Sequence, residues 1–557
     1  MKNKFYTRGI NNLIYVSLEI TTIVLICMLF LSSFSTIIIS VRGIEEQELS
    51  YDDGEMDWSE SLGGTAGYAL KFSPPTTPCT SYPSPSPPTT SPVDIAEKAA
   101  LYVANMAIFE NGGWKWLVYD ASGSWERPSD VAKIGLFFAS LYQSTQKATY
   151  LNYAKGAAQW IITKAVSERG GYKWACPDKD IKSPGWWLNT VVWEVGEFLL
   201  EVFKLTGNTT YLAYAKGAAQ WMIAMAEQEA AGYFIPYNPP GKTGSQASHG
   251  IMPGREAMVA TFLLHIYQET GNSTYLYFAK ETAEWLMTSP DIKSESGGYT
   301  WVHNRPYGTA YVIASSYNPG GTAGVANFFY EIYQVTGNAT YLHYANGALQ
   351  WILSKAEFVN ESSVKWPRII GRSDYPIIVG IPPFTKYATM SDLLLYAYAI
   401  TGNSTYLEYA KKHLNWILSE AISKSGGYVW KNNENAYDTS MIYWSLCNAF
   451  QNIKDNLYMQ YATEALNWII NNATSVDGSY KWKTVTYNPY YPWWFINGAS
   501  GIGYYITNST QGFFEEKPLN ILLIASLIMG ATSVMLIVIA INFQKKKKKI
   551  MLKDSRY

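Results

Sequence analysis

The chain has 557 residues, 48% of them hydrophobic and 15% aromatic, so it can bury a large core. Its formal net charge is −1, but basic residues concentrate near both ends. Setting aside ten basic and two acidic terminal residues, from totals of 43 and 44, leaves a central region of 33 basic and 42 acidic residues, a net charge of −9. This balance excludes nucleic acid as an expected partner of the central region.

An uncharged apolar run follows a short basic N-terminal segment, residues 1–19, which we expect in the cytoplasm. Ile20–Ile39 is long enough to cross a bilayer, and it predicts a transmembrane helix or signal anchor at 20–41. No convincing A-x-A cleavage site follows, which favours a retained anchor. A signal peptide cut near the sequence ISVRG is the alternative.

A second apolar run predicts another transmembrane helix at 519–543. It is followed by the basic cytoplasmic tail 544–557, whose five consecutive lysines are most simply a stop-transfer signal. In both cases basic residues lie between the predicted span and the nearer end of the chain. We therefore expect a protein of the cell membrane with two spans, both termini in the cytoplasm and the main domain outside.

The four cysteines predict neither a disulfide framework nor a metal site. Cys27 lies in the first predicted span and Cys447 lies in an apolar helical pattern, which favours simple packing. Cys79 and Cys176 remain free to pair outside the cell, with no pattern that requires it. Because no C-x-x-C or H-E-x-x-H motif occurs, we predict no metal and no cofactor.

Residues 42–93 form a predicted extracellular stalk. It contains the Pro/Ser/Thr-rich segment Ser73–Pro92, a composition typical of extended, semi-rigid spacers. Helical periodicity begins at Asp94, and we predict one extracellular domain over 94–510.

A repeated segment dominates this domain, as in TGNTTYLAYAKGAAQWM at Thr206–Met222 and TGNATYLHYANGALQWI at Thr336–Ile352. Six copies place a tryptophan at intervals of 52 to 66 residues, at Trp160, Trp221, Trp285, Trp351, Trp416 and Trp468. Such a period indicates supersecondary units that stack on a shared core.

Each unit predicts a helical hairpin. An apolar helix such as Val325–Thr336 ends at Gly337, the expected left-handed position, and Thr340 then caps the next helix. About ten residues after each helical tryptophan comes a short motif that we call the joint, for example GGYTW at Gly297–Trp301. Its glycines and alternating aromatic residues predict a turn and a short β-hairpin. A ligand-stacking role for its tryptophan is the alternative to packing.

The number of helices predicts the architecture. Six complete pairs run from Ser129 to about Asn471, preceded by a helix at Ile95–Glu110 and followed by one at Ala499–Ile506. If the first and last helices pair, the ring closes. The predicted fold is therefore all-α, an α/α toroid of about seven helical hairpins with short β-hairpin joints, flanked by two transmembrane helices.

Several segments of the chain resemble repeats of the lanthionine synthetase C-like family. The similar stretches are Asn318–Ile352, Ser248–Leu286 and the glycine-rich segment GASGIGYY at Gly498–Tyr505. The resemblance covers roughly Asp94–Asn508 and implies a seven-hairpin toroid. The wider six-hairpin glycosidase-like group shares the helical ring.

The chain departs from that family at the zinc ligands. The family's cyclases carry W-C-x-G and C-H-G motifs late in the ring, whereas the matching units here, Phe384–Tyr396 and Asn435–Cys447, contain neither. The resemblance therefore implies the shape of the family without its metal chemistry.

The loops between each joint and the next inner helix supply the candidate site residues, because they surround one mouth of such a ring. Candidate catalytic carboxylates are Glu126, Asp130, Asp374 and Asp438. Candidate ligand-binding residues are Trp125, Trp186, Trp187, His249, Arg255, Trp493 and Trp494. Aromatic faces combined with carboxylates suit a saccharide, which stacks its ring and hydrogen-bonds its hydroxyls. Asp130, Asp438 and Arg255 are equally suited to helix starts.

Two classes of function follow. The first is a membrane-tethered, carbohydrate-active hydrolase, lyase or epimerase with a saccharide or glycan ligand. The second is a non-catalytic surface receptor or scaffold that binds glycans or peptides. Seven N-x-[ST] sequons predict N-glycosylation, with turn and cap chemistry as the alternative explanation for those within TGN-x-T: Asn208, Asn272, Asn338, Asn360, Asn403, Asn472 and Asn508.

Overall fold

The structure is a computed structural model that describes residues 90–120, 123–175, 189–235, 253–301, 319–366, 388–430, 435–482 and 494–509. Both predicted membrane spans, nearly all of the stalk, and Cys79 and Cys176 lie outside the described residues. Among the helices that the described residues form, none is long and apolar enough to span a membrane.

The described residues form fourteen helices in hairpin pairs. They are α1 (Pro92–Asn105), α2 (Pro128–Thr145), α3 (Ala148–Thr163), α4 (Asn189–Thr206), α5 (Thr209–Ile223), α6 (Pro253–Thr270), α7 (Ser273–Thr288), α8 (Pro319–Thr336), α9 (Ala339–Ser354), α10 (Met390–Thr401), α11 (Ser404–Ser419), α12 (Ala436–Ile453), α13 (Asn456–Asn471) and α14 (Trp494–Asn508). From α2 to α13, each even-numbered helix packs against the helix that follows it, and α14 packs against α1.

The even-numbered helices pack in a closed cycle, so the helical pairs form an α/α toroid. Each contacts the next, and α14 contacts both α12 and α2. At the seam, Nζ of Lys98 donates to the hydroxyl of Tyr480 at 3.1 Å and lies 4.5 Å above its ring. We call the even-numbered helices inner and the odd-numbered helices outer.

Short antiparallel hairpins follow the outer helices. The strands are β1 (Ile108–Glu110), β2 (Gly113–Lys115), β3 (Val118–Asp120), β4 (Gly123–Trp125), β5 (Val166–Glu168), β6 (Gly171–Lys173), β7 (Glu227–Glu229), β8 (Gly232–Phe234), β9 (Ile292–Glu295), β10 (Gly298–Trp301), β11 (Glu357–Asn360), β12 (Ser363–Lys365), β13 (Ala421–Lys424), β14 (Gly427–Trp430), β15 (Ala473–Val476) and β16 (Ser479–Trp482). Each consecutive pair forms a separate two-stranded sheet. In β9–β10, for example, Gly298 pairs with Glu295 and Trp301 with Ile292.

The two glycines of the repeated joint have different physical roles, as the β9–β10 hairpin shows. Ser296 and Gly297 both have positive φ, 55° and 74°, which matches the tight turn that suits twisted hairpins. Gly298 has no such φ but lies against the next outer helix, where a Cβ would be 2.3 Å from the carbonyl oxygen of Gly347. The joint therefore also ties one repeat to the next.

The joint tryptophans act as helix caps. The indole N–H of Trp174 donates to the carbonyl of Ile161 at 2.8 Å, satisfying an acceptor at the end of an outer helix. Equivalent bonds are made by Trp116, Trp301, Trp366, Trp430 and Trp482. All six side chains are almost fully buried, so packing explains them and ligand stacking does not.

The tryptophans of the outer helices are also buried. Trp160, Trp285 and Trp351 are inaccessible to solvent, and their indole N–H groups donate to glutamates of the preceding hairpins, at 2.9 Å from Trp285 to Glu229. They form part of one continuous core built from buried side chains of inner helices, outer helices and joints.

Two local details differ from the sequence-based expectations. The first helix ends at Asn105 instead of Glu110, because Ile108–Glu110 pairs with β2. The cap of α9 is Asn338, whose side chain accepts from the backbone N–H of Thr340. Capping by Asn one residue before the helix leaves Thr340 inside the first turn. Gly337 has the predicted left-handed φ, 69°.

Helix α10 has a buried N-terminus that protein side chains satisfy. Oδ2 of Asp392 accepts from the N–H of Thr389 at 2.9 Å, and Oδ1 accepts from Nδ2 of Asn448 at 2.8 Å. Nδ1 of His413 accepts from the N–H of Ser391 at 3.1 Å. Because His413 is inaccessible to solvent, its burial lowers the pKa to about 3 and keeps the ring neutral.

Candidate functional site

The first turns of the inner helices lie at one end of the ring. Each inner helix is followed by an outer helix that runs back, so all inner helices have the same direction and their N-terminal ends gather. Six charged or phenolic side chains from α2, α4, α6 and α12 occur there. We call them the mouth cluster: Asp130, Lys133, Glu194, Arg255, Tyr437 and Asp438.

Lys133 and Glu194 form the centre of the mouth cluster. Nζ of Lys133 on α2 lies 3.2 Å from Oε1 of Glu194 on α4. The two side chains retain 37% and 16% of their surface accessible even though the inner helices surround them. Partial exposure inside a helical ring is the property expected of side chains that a ligand can reach.

The surroundings of Lys133 and Glu194 raise the pKa values of both side chains. Burial raises the pKa of Glu194, and the charge of Asp130 adds to the rise, while Lys133 and Arg255 oppose it. Burial lowers the pKa of Lys133, but the attraction of Glu194 and Asp130 outweighs burial and leaves that pKa raised. The pKa of Glu194 is therefore raised even though Lys133 lies beside it, and a second carboxylate, Asp130, contributes to the rise.

Asp130 and Asp438 lie in the first turns of α2 and α12, but neither is the residue that caps its helix. Asn435 caps α12 and donates from Nδ2 to Oδ2 of Asp438 at 2.8 Å. Asp130 is buried, with 8% of its surface exposed, and its charge affects the pKa of both Lys133 and Glu194. The two aspartates thus come from separate helices to the same end of the ring.

An aromatic group adjoins these charges. Tyr437 of α12 meets Tyr505 of α14 with 3.1 Å between hydroxyl oxygens, and Lys133 lowers the pKa of Tyr437 against the larger effect of burial, which raises it. Trp444 packs on Tyr505 with 6.1 Å between ring centroids. Trp444 and Tyr505, together with Ala388 and Met441, form a small apolar cluster distinct from the main core.

Of the predicted site residues, the structure places Asp130, Arg255 and Asp438 at the same end of the ring, in the first turns of inner helices. Glu126 lies instead beside the first hairpin, where it forms ion pairs with Lys115 and with Lys164, the latter at 3.6 Å. For Trp125 and Trp494 only the backbone is described, at the end of β4 and the start of α14. The remaining candidates lie outside the described residues: Trp186, Trp187, His249, Asp374 and Trp493.

Lys133, Glu194 and Tyr437 were not among the sequence-based candidates. A signal for the first two is present, because VAKIG and VWEVG place a single charge of opposite sign at equivalent positions of successive apolar helices. Gly135 and Gly196, which end these phrases, would carry Cβ atoms within 2.4 Å of Phe198 and Phe262 of the next inner helices. The close packing that they permit identifies the phrases as ring-lining segments.

Within the described residues, no group of three or more His, Cys, Asp or Glu side chains has the arrangement that would hold a metal ion. The arrangement that is described, carboxylates with an ammonium, a guanidinium and a phenol, can bind hydroxyl groups and transfer protons.

Comparison with known proteins yields only remote structural similarity. No family model matches the sequence, and no curated protein matches it. A sugar epimerase from a ruminal bacterium is 14% identical over 60% of this chain and 88% of its own, with a TM-score of 0.45. A family 76 glycoside hydrolase (mannosidase) from Bacteroides thetaiotaomicron is 12% identical over 75% and 97%, with a TM-score of 0.45. A D-mannose isomerase is 13% identical over 75% and 96%, with a TM-score of 0.44. Membership of the lanthionine synthetase C-like family stays a prediction.

Proposed function

We propose that this protein is a membrane-anchored toroid that binds a saccharide at the mouth cluster and hydrolyses a glycosidic bond there. The observation that carries the proposal is the convergence of Glu194 and Asp130 from different helices, close enough for Asp130 to raise the pKa of Glu194. Glycoside hydrolysis uses a pair of carboxyl groups beside the bond that breaks.

The proposed roles follow from the environments. Glu194, the carboxyl group with the raised pKa, donates its proton to the leaving oxygen as the glycosidic bond breaks. Asp130 accepts a proton from the water that attacks the sugar carbon, so the added water supplies the hydroxyl of the product. Lys133 and Arg255 orient hydroxyl groups and offset the negative charge, while Tyr437 offers an aromatic face and a hydroxyl.

Glu194→Gln and Asp130→Asn test these roles in the full-length protein, purified in detergent and supplied with a panel of polysaccharides. Each change should lower kcat by about 10²- to 10⁴-fold, as expected for a lost proton-transfer group. Glu126→Gln is the matched control, because that carboxylate lies at the first hairpin. Loss of activity in Glu126→Gln with full activity in Glu194→Gln would overturn the assignment.

A lyase or an epimerase would use the same acid–base pair, and analysis of the products distinguishes these reactions. An unsaturated sugar indicates elimination, and an inverted stereocentre without bond cleavage indicates epimerisation. The non-catalytic alternative, a receptor or scaffold for glycans or peptides, predicts ligand binding by the wild-type protein without any product.

Membrane anchoring is the second part of the proposal. It is supported by the uncharged runs within 20–41 and 519–543 and by the basic residues on their outer-sequence sides. Cysteines introduced near Lys2 and Lys553 should resist a membrane-impermeant thiol reagent in intact cells and react after permeabilisation. Labelling of either terminus from outside would contradict the proposed topology.

A further inference from the structure

A second polar cluster lies deeper in the ring and joins three inner helices. Nδ1 of His265 on α6 lies 2.7 Å from Oε1 of Glu197 on α4, and Nε2 lies 3.3 Å from Oε2 of Glu331 on α8. Nδ2 of Asn327, also on α8, donates to Oε1 of Glu331 at 3.0 Å. We call Glu197, His265, Asn327 and Glu331 the inner cluster.

Its charge state follows from these contacts. Both ring nitrogens of His265 meet carboxylate oxygens, so both carry hydrogen and the ring is an imidazolium. Burial lowers the pKa of His265, but Glu197 and Glu331 outweigh burial and raise it to about 9. The inner cluster therefore combines one cation with two carboxylate side chains.

The inner cluster lies below the mouth cluster along the ring axis. Glu197 follows Glu194 by about one helical turn on α4. His265 and Glu331 lie about one turn further toward the C-terminal ends of α6 and α8, counted from the ends of the helices. Counted in the same way, Asn327 lies level with Glu197, about one turn or about 5 Å beyond Glu194, so a single sugar ring can span from Glu194 to Asn327.

One atom of the inner cluster has no role in this network. Within the described residues, Oδ1 of Asn327 has no hydrogen-bond partner, although the residue is only 8% exposed. A buried amide oxygen without a donor is costly, and such atoms are rare in folded proteins. The oxygen is therefore a buried acceptor that none of the described residues uses.

A purely structural role accounts for the other contacts but leaves this oxygen unexplained. Polar pairs link inner helices elsewhere in the ring: Nε2 of Gln143 donates to Glu201 at 2.8 Å, and the hydroxyl of Tyr396 donates to Gln334 at 3.0 Å. The links from His265 to Glu197 and Glu331 serve the same purpose. None of these links needs a spare acceptor at Asn327.

We propose that the inner cluster is the deep subsite of the saccharide site, where a ring hydroxyl of the terminal sugar unit donates to Oδ1 of Asn327. This inference rests on the proposed function. With one unit held at the inner cluster, the mouth cluster faces the bond between that unit and the next. The protein then acts at chain ends, and a disaccharide is the shortest ligand that places a glycosidic bond at the mouth cluster.

Equilibrium binding by tryptophan fluorescence tests this subsite with the full-length protein and the sulfur-linked analogues of cellobiose, maltose and mannobiose, which resist cleavage. Asn327→Leu should weaken binding of the recognised disaccharide at least about tenfold. Gln334→Leu is the matched control, because it also removes a polar contact of α8 but lies outside the inner cluster, and it should bind as the wild type does. Asn327→Ser, a smaller change, is measured alongside and decides the test alone if the leucine variant does not fold.

The outcomes separate the two proposals. If the wild type binds none of the analogues, the proposed function fails and the subsite fails with it. If the wild type binds one of them and both Asn327 variants bind it equally well, the saccharide site stands and the inner cluster is only a brace between helices. Weaker binding by both Asn327 variants and unchanged binding by Gln334→Leu support the subsite.

Discussion

Gly298 and Trp351 are in backbone contact, although they belong to successive repeats. A Cβ on Gly298 would lie 2.5 Å from the backbone nitrogen of Trp351, closer than any real Cβ contact. The glycine at the equivalent position of other joints meets the next outer helix in the same way, at Gly113, Gly171, Gly232 and Gly427. The absence of a side chain at this position is what lets each hairpin lie on its neighbour.

Gly298→Ala should lower the free energy of unfolding by about 2–3 kcal/mol, because the new methyl group meets rigid backbone. Gly297→Asn is the matched control. Its φ of 74° is tolerated by Asn, and nothing lies within 4 Å of the added Cβ, so we expect a loss below about 1 kcal/mol. Urea unfolding followed by tryptophan fluorescence measures both. Equal losses would show that the contact with Trp351 is unimportant.

Trp351→Ala should lower the free energy of unfolding by about 3–5 kcal/mol, the range measured for large buried side chains. The side chain is inaccessible to solvent and belongs to the main core. Trp351→Phe keeps most of the buried surface and should cost markedly less. Thermal unfolding measures both variants. A smaller drop in melting temperature for Trp351→Ala than for Trp351→Phe would contradict the assignment of Trp351 to packing.

His413 should make the fold acid-sensitive. Its pKa is lowered by burial to about 3 in the folded protein, from 6.5 when exposed, so the unfolded chain binds the proton more tightly. The stability contribution is complete above pH 6.5 and is lost as the pH falls from 6.5 toward 3, with a limiting slope of about 1.4 kcal/mol per pH unit.

The variant His413→Gln keeps an acceptor for the N–H of Ser391 but does not titrate. Urea unfolding at pH 7.5, 6 and 4.5 should show a smaller loss of stability on acidification for the variant than for the wild type. Parallel pH profiles for the two proteins would mean that His413 is protonated in the folded state at little cost.

Glu256 should make the fold less stable as the pH rises, whereas His413 makes it less stable as the pH falls. Glu256 is 1% exposed, and its Oε2 accepts from the N–H of Ile235 at 2.9 Å. Burial raises the pKa of Glu256 from 4.5 to about 8, although the hydrogen bond from Ile235 and the charge of Arg255 oppose the rise. A raised pKa gives stability that is complete below pH 4.5 and lost as the pH rises through 8.

Glu256→Gln keeps the acceptor for Ile235 and stays neutral at every pH. The melting temperature of the variant minus that of the wild type should therefore be larger at pH 8.5 than at pH 5. Thermal unfolding at these two pH values provides the measurement. A constant difference between the two proteins would show that Glu256 does not change protonation on folding.

Five of the seven predicted glycosylation sites fall into two groups in the structure. Four exposed asparagines cap outer helices through their side-chain oxygens, at the end of the ring opposite the mouth cluster: Asn208, Asn272, Asn338 and Asn403. In contrast, Nδ2 of Asn508 donates to the carbonyl of Tyr504 at 2.8 Å, which engages the nitrogen that a glycan would join.

Mass spectrometry of glycopeptides from native membranes should therefore find glycans on members of the first group and none on Asn508. Accessibility of the acceptor nitrogen is the physical reason for the difference. Occupancy of Asn508 together with bare sites at the outer-helix caps would contradict this ranking.

The repeated unit could be predicted from the sequence because its signals are local. The left-handed residue at Gly337 and the hairpin at Gly297–Trp301 depend on residues within a few positions of each other. The error at the first helix has a different origin. Ile108–Glu110 continues the apolar pattern, but pairing with β2 overrides it, and strand pairing depends on a partner that periodicity does not include.

The site was only partly predictable, for a geometric reason. Asp130, Arg255 and Asp438 could be proposed because they begin inner helices, and a ring places such positions at one end. Glu126, only four residues before Asp130, turns instead toward Lys164, a direction that a short local segment does not determine.

Only the tertiary structure decided which side chains meet. Lys133 and Glu194 are partners because close packing of α2 and α4 brings together residues about 60 positions apart, and Lys98 meets Tyr480 across 382 residues because the ring closes. The sequence by itself determined the repeated hairpins, their caps and their turns, since those depend on short-range sterics and hydrogen bonds. The charged interior was decided by the curvature and closure of the ring, which arise from packing summed over all repeats.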